Sequence, residues 1–395
     1  MSKKKTDMTP PMDEAFADVA VKQPKAKKKK KKGSGLLGRI VRRFFLMLFT
    51  VVILLVVALC MVMNLVFNGP SPAAREVLTM SLTEASATKW VPGLFMDDET
   101  VAEIRKNVDA TLPAVVSSSD KIVIKTNNTL SGDNDEWADY PDGIRIERVS
   151  GDTYNAHVMI VRDPSRVFMG TSTEKFSTSI PGKRITEAMA DAGESVIAAI
   201  NAGAFNDDGT ANSYVGSIPA GLLVSKGSVL SDAYHGLVPE EGFAGFTEDN
   251  ILVVAKSMSA AQAQEQKIRD GCEFGPVLIM DEVINEEAYN SASGYNPRTA
   301  IGQRSDGAVI FVCIDGRQTS SLGGSYADII NIMVEYGAVN ACNMDGGSSS
   351  VMLYRDTYGR YGAAGEVQMI NNYSLLQSQP RRMPNYWMVR AASEE

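Results

Sequence analysis

The segment from Pro297 to Ser350 constrains the fold more than any other part of the chain. It contains two apolar runs, one ending at Asp315-Gly316-Arg317 and the other at Asp345-Gly346-Gly347. The residues between the runs have helical periodicity, and a strand–helix–strand unit predicts two parallel strands with a right-handed connection. Asp315 and Asp345 would then follow two strands at the same edge of one sheet, where open α/β sheets bind their ligands.

Signals for other elements are local. Ser325 is suited to cap a helix over residues 326–336, with Asp328 in its first turn. We also predict a hairpin over residues 142–161, a strand at 122–124, and a helix at 260–270 that Gly271 closes. A buried strand at 195–200 ends at Asn201, which would reach the same edge as the two aspartates if that strand is parallel to theirs.

An uncharged apolar run over residues 44–67 predicts a membrane-spanning helix. As a helix this run is about 36 Å long, which exceeds the bilayer core of about 30 Å. The lysines at 27–32, with Arg39, Arg42 and Arg43, predict a cytoplasmic amino terminus and therefore an extracellular body. Binding of anionic lipid by the same lysines is an alternative role.

Charge separates the chain into two parts. Its first 43 residues hold 14 Lys and Arg against 4 Asp and Glu, although the whole chain has a net charge of −8. The remainder is therefore strongly acidic, which argues against nucleic acid as a partner because phosphate backbones require basic patches.

These features predict four regions. Residues 1–35 form a disordered basic cytoplasmic tail, residues 36–68 the transmembrane anchor, and residues 69–120 a juxtamembrane stalk with two short helices. Residues 121–395 form a single large domain of the mixed α/β (α+β) class, with a mixed central sheet flanked by helices.

Cysteine and histidine provide few candidates for chemistry. Cys272, Cys313 and Cys342 lie outside the predicted span, and we interpret them as buried free thiols, with a Cys313–Cys342 bridge as the alternative. The two histidines, His157 and His235, are far apart, so neither a zinc site nor a Ser-His-Asp triad has support. We interpret His157 as a strand residue that faces a neighbour, and we expect no metal and no cofactor.

Acid–base chemistry is therefore assigned to Asp315 and Asp345, although Asp-Gly pairs also occur simply as turns. Arg298 lies before the first apolar run and Arg317 directly after it. An arginine fork binds phosphate oxygens in two places at once. Gly346-Gly347-Ser348 offers backbone N–H groups as an anion cradle. Residues 206–209 have a calcium-like composition, but we interpret them as a turn because the other ligands of a calcium loop are missing.

Four motifs resemble those of the phosphodiester glycosidase family over roughly residues 155–390. The first motif departs from the family pattern, which has a second glycine and another aromatic residue near Phe205. Arg381 resembles the late arginine of the family, with Arg382 as the alternative. The motifs are Asn201-Ala202-Gly203-Ala204-Phe205, Pro297-Arg298-Thr299-Ala300-Ile301-Gly302, Ile314-Asp315-Gly316-Arg317 and Asn343-Met344-Asp345-Gly346-Gly347-Ser348-Ser349.

The resemblance implies a hydrolase that cleaves the bond between a sugar's anomeric carbon and a phosphodiester. Arg298 or Arg317 would hold the phosphate, and Asp345 or Asp315 would act as base or nucleophile. The implied catalytic residues are Asp315, Asp345, Arg317 and Asn201, where Asn201 holds a sugar hydroxyl. The implied substrate-binding residues are Arg298, Gly203, Phe205, Gly346, Gly347, Ser348 and Arg381.

A body held outside a membrane would meet phosphodiester-linked cell-surface glycans or exopolysaccharide, and these are the expected substrates. A protein of the cell envelope that binds or assembles such polymers without cutting them is the alternative.

Overall fold

The computed structural model describes residues 36–83, 88, 90–106, 116–118, 120–124, 136–206, 215–233, 242–373 and 379–392. The predicted tail at 1–35, His235 and most of the predicted turn at 206–209 lie outside these residues. The chain divides into two compact units, residues 1–59 and residues 60–395.

The first helix is the longest and the most apolar. Helix α1 covers Leu36–Asn68, and over Gly38–Asn68 it is long and apolar enough to cross a membrane, as the sequence predicts. It ends where Gly69 and Pro70 follow, since proline cannot continue a helix. The other helices are Pro72–Thr83 (α2), Asp98–Lys106 (α3), Ile185–Ala192 (α4), Ala260–Glu265 (α5), Glu286–Asn290 (α6) and Tyr326–Glu335 (α7).

The remaining regular structure is extended. The strands are Ile144–Ser150 (β1), Asn155–Val161 (β2), Val167–Thr171 (β3), Lys183–Arg184 (β4), Val196–Asn201 (β5), Gly221–Ser225 (β6), Ser228–Ala233 (β7), Phe243–Thr247 (β8), Leu252–Ala255 (β9), Ile268–Glu273 (β10), Val277–Met280 (β11), Val283–Ile284 (β12), Arg298–Arg304 (β13), Val309–Ile314 (β14), Ala338–Met344 (β15), Met352–Arg355 (β16), Val367–Met369 (β17), Arg382–Met383 (β18) and Asn385–Arg390 (β19).

The strands are distributed over several sheets rather than one. A seven-stranded sheet has the order β1-β2-β14-β13-β15-β11-β12, and two five-stranded sheets have the orders β7-β6-β10-β8-β9 and β17-β16-β5-β19-β3. Strands β4 and β18 form a fourth, two-stranded sheet. The predicted combination of helices and sheet is confirmed, and the strands are more numerous than the sequence indicates.

The crossover differs from the prediction in one respect. Strands β14 and β15 do run in the same direction, but each pairs antiparallel with β13, which lies between them. The predicted parallel pair is therefore wrong as a hydrogen-bonded pair, because the strand before the crossover occupies the gap. The prediction that Asp315 and Asp345 follow strands ending at one edge remains correct.

Helix α7 forms as predicted. Ser325 accepts a hydrogen bond from the backbone N–H of Asp328, and the Asp328 side chain accepts one from the N–H of Ser325. This reciprocal cap satisfies two of the N–H groups that a helix amino terminus leaves unpaired. The helix covers one face of the seven-stranded sheet with Ile329, Ile330 and Met333, all fully buried.

Two local predictions are wrong. Only residues 260–265 of the predicted 260–270 helix are helical, and β10 begins at Ile268 because residues 268–273 pair with β8. Gly271, the predicted helix stop, lies within this strand. Residues 122–124 are not a strand, although Val123 donates to the carbonyl of Ser305 at 2.8 Å.

The core is centred on Trp387 of β19, which is fully buried. Its ring packs edge-on against Phe246 of β8 at 5.7 Å between centroids, and its Nε1 lies 3.4 Å from Sδ of Met344 in β15. This indole, on one five-stranded sheet, therefore contacts a strand of the other five-stranded sheet and a strand of the seven-stranded sheet. Because Met344 directly precedes Asp345, this core also fixes the backbone that enters the candidate site.

We predict that Leu252→Ala lowers the free energy of unfolding by about 2–5 kcal/mol, since it empties a fully buried core position. The backbone cannot move inward to fill the space, because the N–H of Leu252 donates to Gln303 and its carbonyl accepts from Asn340. Denaturant unfolding of the full chain in detergent, followed by tryptophan fluorescence, measures the loss. Leu322→Ala, at a side chain 58% exposed, is the matched control and should change stability by less than about 0.5 kcal/mol.

Candidate active site

Three strand ends bring the predicted residues together. Asp315 follows the last residue of β14 and Asp345 the last residue of β15, while Arg298 begins β13 between them. The register pairs Arg298 with Ile314 and Thr299 with Met344, so all three ends lie at one edge. The structure thus places the two carboxylates on either side of the segment that leads into β13.

Asn201 joins a second sheet to this edge. Its Nδ2 donates to the carbonyl of Asp345 at 2.5 Å, and its Oδ1 accepts from the Thr299 hydroxyl at 2.9 Å and from the N–H of Val351 at 3.1 Å. The residue is fully buried. Its amide therefore holds the backbone of Asp345 in place, and β5 reaches the edge although it belongs to a different sheet from β14 and β15.

Gly203 also has a packing role in the structure. Its N–H donates to Oδ1 of Asn385 at 2.7 Å, and a Cβ added to it would lie 2.8 Å from Cβ of Cys272. This close approach explains why glycine is required there. Cys272, Cys313 and Cys342 are all free and buried, as we interpreted them, and β13 separates Cys313 from Cys342.

Arg298 is buried, and its guanidinium is held by backbone carbonyls. Its Nε donates to Gly324 at 3.1 Å, its Nη2 donates to Ser293 at 2.7 Å, and its charge lies 4.1 Å from the centre of the Tyr326 ring. Only 2% of the residue is exposed. These contacts fix the loop before β13 and direct the guanidinium away from solvent.

Asp315 fastens a distant segment. Its Oδ1 accepts from the backbone N–H of Asn372 at 2.9 Å, and its Oδ2 accepts from Nδ2 of the same residue at 2.7 Å. Burial raises the pKa of this carboxyl, while the two bonds from Asn372 act in the opposite direction. The sequence analysis missed Asn372, which lies 57 residues away and is brought in by the β16–β17 hairpin.

His157 lies beside Asp315. Its Nε2 is 3.9 Å from Oδ2 of Asp315, which is too long for a hydrogen bond. Burial, with a smaller contribution from the charge of Arg148, lowers the pKa of His157 to about 4. The imidazole is therefore neutral at neutral pH. His157 is a strand residue that faces a neighbour, as predicted, and the neighbour is Asp315.

The turn after Asp345 depends on glycine. Gly347 has a φ of 61°, and its N–H donates to the carbonyl of Pro297 at 2.8 Å. A Cβ at Gly346 would lie 2.8 Å from the same carbonyl oxygen. A side chain at Gly346 would clash with Pro297, and a side chain at Gly347 would be strained at its positive φ, so the two glycines allow the turn Gly347–Ser349 to close against the start of β13.

Two arginines lie beside successive residues of this turn. The Nη atoms of Arg317 lie 3.3 and 3.4 Å from the position of a Cβ at Gly347, and Nη2 also donates to Asn296 at 3.3 Å. Nη1 of Arg381 lies 3.4 Å from the Ser348 hydroxyl, and its guanidinium stacks on Phe205 at 4.7 Å. The turn therefore carries two guanidinium groups next to Asp345.

The alternative arginine is engaged elsewhere. Arg382 forms an ion pair with Glu187 at 2.8 Å and also donates to the carbonyl of Gly182. Of the two neighbouring arginines, Arg381 is thus the one at the turn. Tyr373, which sequence analysis also missed, donates its hydroxyl to the carbonyl of Ser348 at 2.6 Å; burial raises its pKa, and Arg381 acts in the opposite direction.

A cavity of about 10 Å³ opens beside these groups. Its lining includes Asp315, Arg317, Gly347, Ser348 and Tyr373. This volume holds about one water molecule, so a larger ligand does not fit inside the cavity itself. Within the described ranges, no group of three or more His, Cys, Asp or Glu side chains is placed to hold a metal ion.

Residues 194–390, which include the Asn201 clamp and both arginines of the turn, match the family model described as phosphodiester glycosidase. This part of the chain therefore belongs to the phosphodiester glycosidase family, and the resemblance drawn from the motifs is confirmed.

A curated relative is the SPbeta prophage-derived uncharacterized protein YomE of Bacillus subtilis (strain 168), 28% identical over 201 residues. The match covers 50% of this chain and 28% of that protein, so the chain spans little more than a quarter of its length.

Among solved structures, the catalytic domain of zebrafish N-acetylglucosamine-1-phosphodiester alpha-N-acetylglucosaminidase, auto-inhibited by its pro-peptide, is 18% identical. Its TM-score is 0.48, and the match covers 63% of this chain and 82% of that one. A hypothetical protein from Synechocystis is 15% identical with a TM-score of 0.39, covering 63% and 61%.

The neutral state of His157 gives a prediction for stability against pH. Because its pKa falls from 6.5 to about 4 on folding, the unfolded chain takes up the proton first as pH drops. The free energy of unfolding should therefore fall by about 3 kcal/mol between pH 6.5 and pH 4 on account of this residue. Denaturant unfolding of the wild type and His157→Gln across this range measures the difference. An unchanged slope in His157→Gln would contradict the prediction.

Proposed function

We propose that this protein is a membrane-anchored hydrolase, with its body outside the cell, that cleaves sugar-1-phosphodiester bonds in cell-surface glycans or exopolysaccharide. One observation carries the proposal. The guanidinium of Arg317 lies beside Gly347 and that of Arg381 contacts Ser348, in the glycine turn that directly follows Asp345. Membership of the phosphodiester glycosidase family over residues 194–390 supports the reaction class.

The phosphate is assigned to the turn. A phosphodiester carries one negative charge, and its monoester product carries more, so positive groups near the phosphate stabilise the leaving group as charge develops. Arg317 is exposed to solvent and Arg381 is half-buried, and both guanidinium groups lie at the turn. The buried Arg298 is assigned a structural role, because backbone carbonyls hold its guanidinium.

The sugar is assigned to Asp345. Its backbone is fixed on both sides, since its N–H donates to Ala202 at 3.0 Å and its carbonyl accepts from Asn201. Asp345 is half-buried beside the turn, whereas Asp315 is buried and bonded to Asn372. We therefore assign the reacting carboxylate to Asp345, and a positioning role to Asp315 and Asn201.

The reaction that follows is simple. The bond between the anomeric carbon and the phosphate oxygen breaks, and the phosphate monoester departs with the bonding electrons. A water oxygen joins the anomeric carbon, directly or after attack by Asp345, and its proton passes to the carboxylate. Because a phosphate monoester is a good leaving group, the arginines replace the strong general acid that ordinary glycosides require.

We predict that Asp345→Asn lowers kcat on sugar-1-phosphodiesters by about 10²–10⁴-fold, because the amide can neither accept a proton nor attack carbon. The measurement is release of phosphate monoester by the full chain in detergent, over a panel of sugar-1-phosphodiesters. Asp232→Asn, an exposed carboxylate on β7, is the control and should retain full activity.

The outcome separates the two functions. Retained binding of the phosphodiester with lost turnover in Asp345→Asn supports the hydrolase. If the wild type binds phosphodiester glycans but releases no monoester from any of them, the protein is the binding or assembly protein of the alternative. Wild-type activity in Asp345→Asn would remove Asp345 from the reaction.

We also predict that Arg317→Ala and Arg381→Ala each lower kcat/KM by about 10²–10³-fold, since each removes one group that stabilises the departing phosphate. Arg390→Ala, which removes an exposed arginine stacked on Phe168, is the matched control. A second substrate tests the assignment directly. An aryl glycoside of the same sugar lacks phosphate, so any residual cleavage of it should be insensitive to both variants.

A further inference from the structure

His157 is a buried group for which the proposed reaction has no use. It lies on β2, its side chain is 12% exposed, and its Nε2 has no hydrogen-bond partner in the described part of the chain. Oδ2 of Asp315 is 3.9 Å away. Buried polar atoms are nearly always bonded, so an imidazole nitrogen at this distance from a carboxylate calls for a physical reason.

Asp315 is a buried carboxylate with few partners. Its side chain is fully enclosed, and Asn372 supplies the two hydrogen bonds that its oxygens accept. Across the described ranges, no Lys or Arg nitrogen lies within 4 Å of the Asp315 carboxylate. Nε2 of His157, at 3.9 Å, does lie within that distance. The charge of Arg148 acts on Asp315 from beyond 4 Å and lowers its pKa, but burial of the carboxylate remains costly, so a further donor directed at Oδ2 would stabilise it.

The groups around His157 determine which form of the imidazole can help. Arg148 pairs with it across β1 and disfavours a second positive charge. Cys313 pairs with it across β14, and burial raises the pKa of that thiol well above its usual range, so it stays neutral. The imidazole is therefore uncharged, and only the tautomer with a proton on Nε2 can donate toward Asp315.

We propose that His157 is a positioning residue whose Nε2–H is directed at Asp315 and, through Asn372 and Tyr373, holds the glycine turn in place. This inference rests on the proposed function, because it concerns the same turn. A shift of about 1 Å closes the gap to an ordinary hydrogen bond of about 2.9 Å.

Beyond the 3.9 Å that separates His157 from Asp315, hydrogen bonds lead from Asp315 to the turn. Asp315 holds the backbone and the side chain of Asn372, and the next residue, Tyr373, donates to the carbonyl of Ser348 at 2.6 Å. Arg381 contacts the Ser348 hydroxyl. Reorientation of the Asp315 carboxylate would therefore move the segment that fixes one arginine of the proposed phosphate site.

A spectroscopic test is favoured by the composition, since the chain has only two histidines. In the full chain with ¹⁵N-labelled histidine, His235→Gln leaves one imidazole, whose nitrogen shifts report its tautomer. We expect the Nε2–H form at pH 7, and we expect Asp315→Asn to shift the Nε2 and Hε2 resonances. A proton on Nδ1 instead, or resonances that Asp315→Asn leaves unchanged, would overturn the proposal.

A kinetic test asks what the donor does. His157→Phe keeps a ring but removes the donor, and His157→Gln places an amide N–H near the position of Nε2. We expect His157→Phe to raise KM for a sugar-1-phosphodiester about tenfold with a small change in kcat, and His157→Gln to stay within about threefold of the wild type. Equal losses in both variants would indicate packing alone and would overturn the proposal.

The two proposals fail in different ways. If the wild type hydrolyses no sugar-1-phosphodiester, the proposed function fails, and the imidazole resonances still decide whether Nε2–H is directed at Asp315. If the wild type is active but the imidazole carries its proton on Nδ1, the role of His157 fails alone. The unfolding midpoint of each variant shows that the kinetic comparison is made on folded protein.

Discussion

The side-chain amide of Asn201 is the contact on which the rest of the site depends. It spans two sheets, donating to the carbonyl of Asp345 and accepting from Thr299 and Val351. This clamp, with the bond from the N–H of Asp345 to the carbonyl of Ala202, adds directional contacts between the end of β5 and the seven-stranded sheet, whereas apolar packing is non-directional and does not set the position of a backbone. A fully buried asparagine with these partners fixes where the chain leaves β15, and hence where the glycine turn and its two arginines lie.

The two aspartates illustrate how similar sequence motifs acquire different environments. Each follows a strand and precedes a glycine, yet Asp315 is enclosed and bonded to Asn372 while Asp345 lies half-buried beside the turn. The arginines divide in the same way, because Arg298 is held by carbonyls and Arg317 is exposed. In our proposal one member of each pair builds the site and the other reacts with or binds the substrate.

Local signals predicted the elements that local interactions determine. The capping box at Ser325 and Asp328, the β1–β2 hairpin and the apolar span of α1 all form as expected. Strand β10 was missed because Gly271 resembles a helix stop, whereas its pairing with β8 depends on residues distant in sequence. Asn372 and Tyr373 were missed for the same reason. Neither the burial of Arg298 nor the place of β13 between β14 and β15 can be read from composition or periodicity.

Strand β13 has a further consequence as a spacer. Because it lies between β14 and β15, the backbones that lead to Asp315 and Asp345 are two strand spacings apart, about 9.5 Å. Carboxylates that share one proton, as in dyads, must be almost in contact. The spacer therefore keeps the two backbones too far apart for the paired arrangement of a dyad. A single intervening strand thus leaves the raised pKa of the enclosed Asp315 to its own burial, opposed by the bonds from Asn372 and the charge of Arg148.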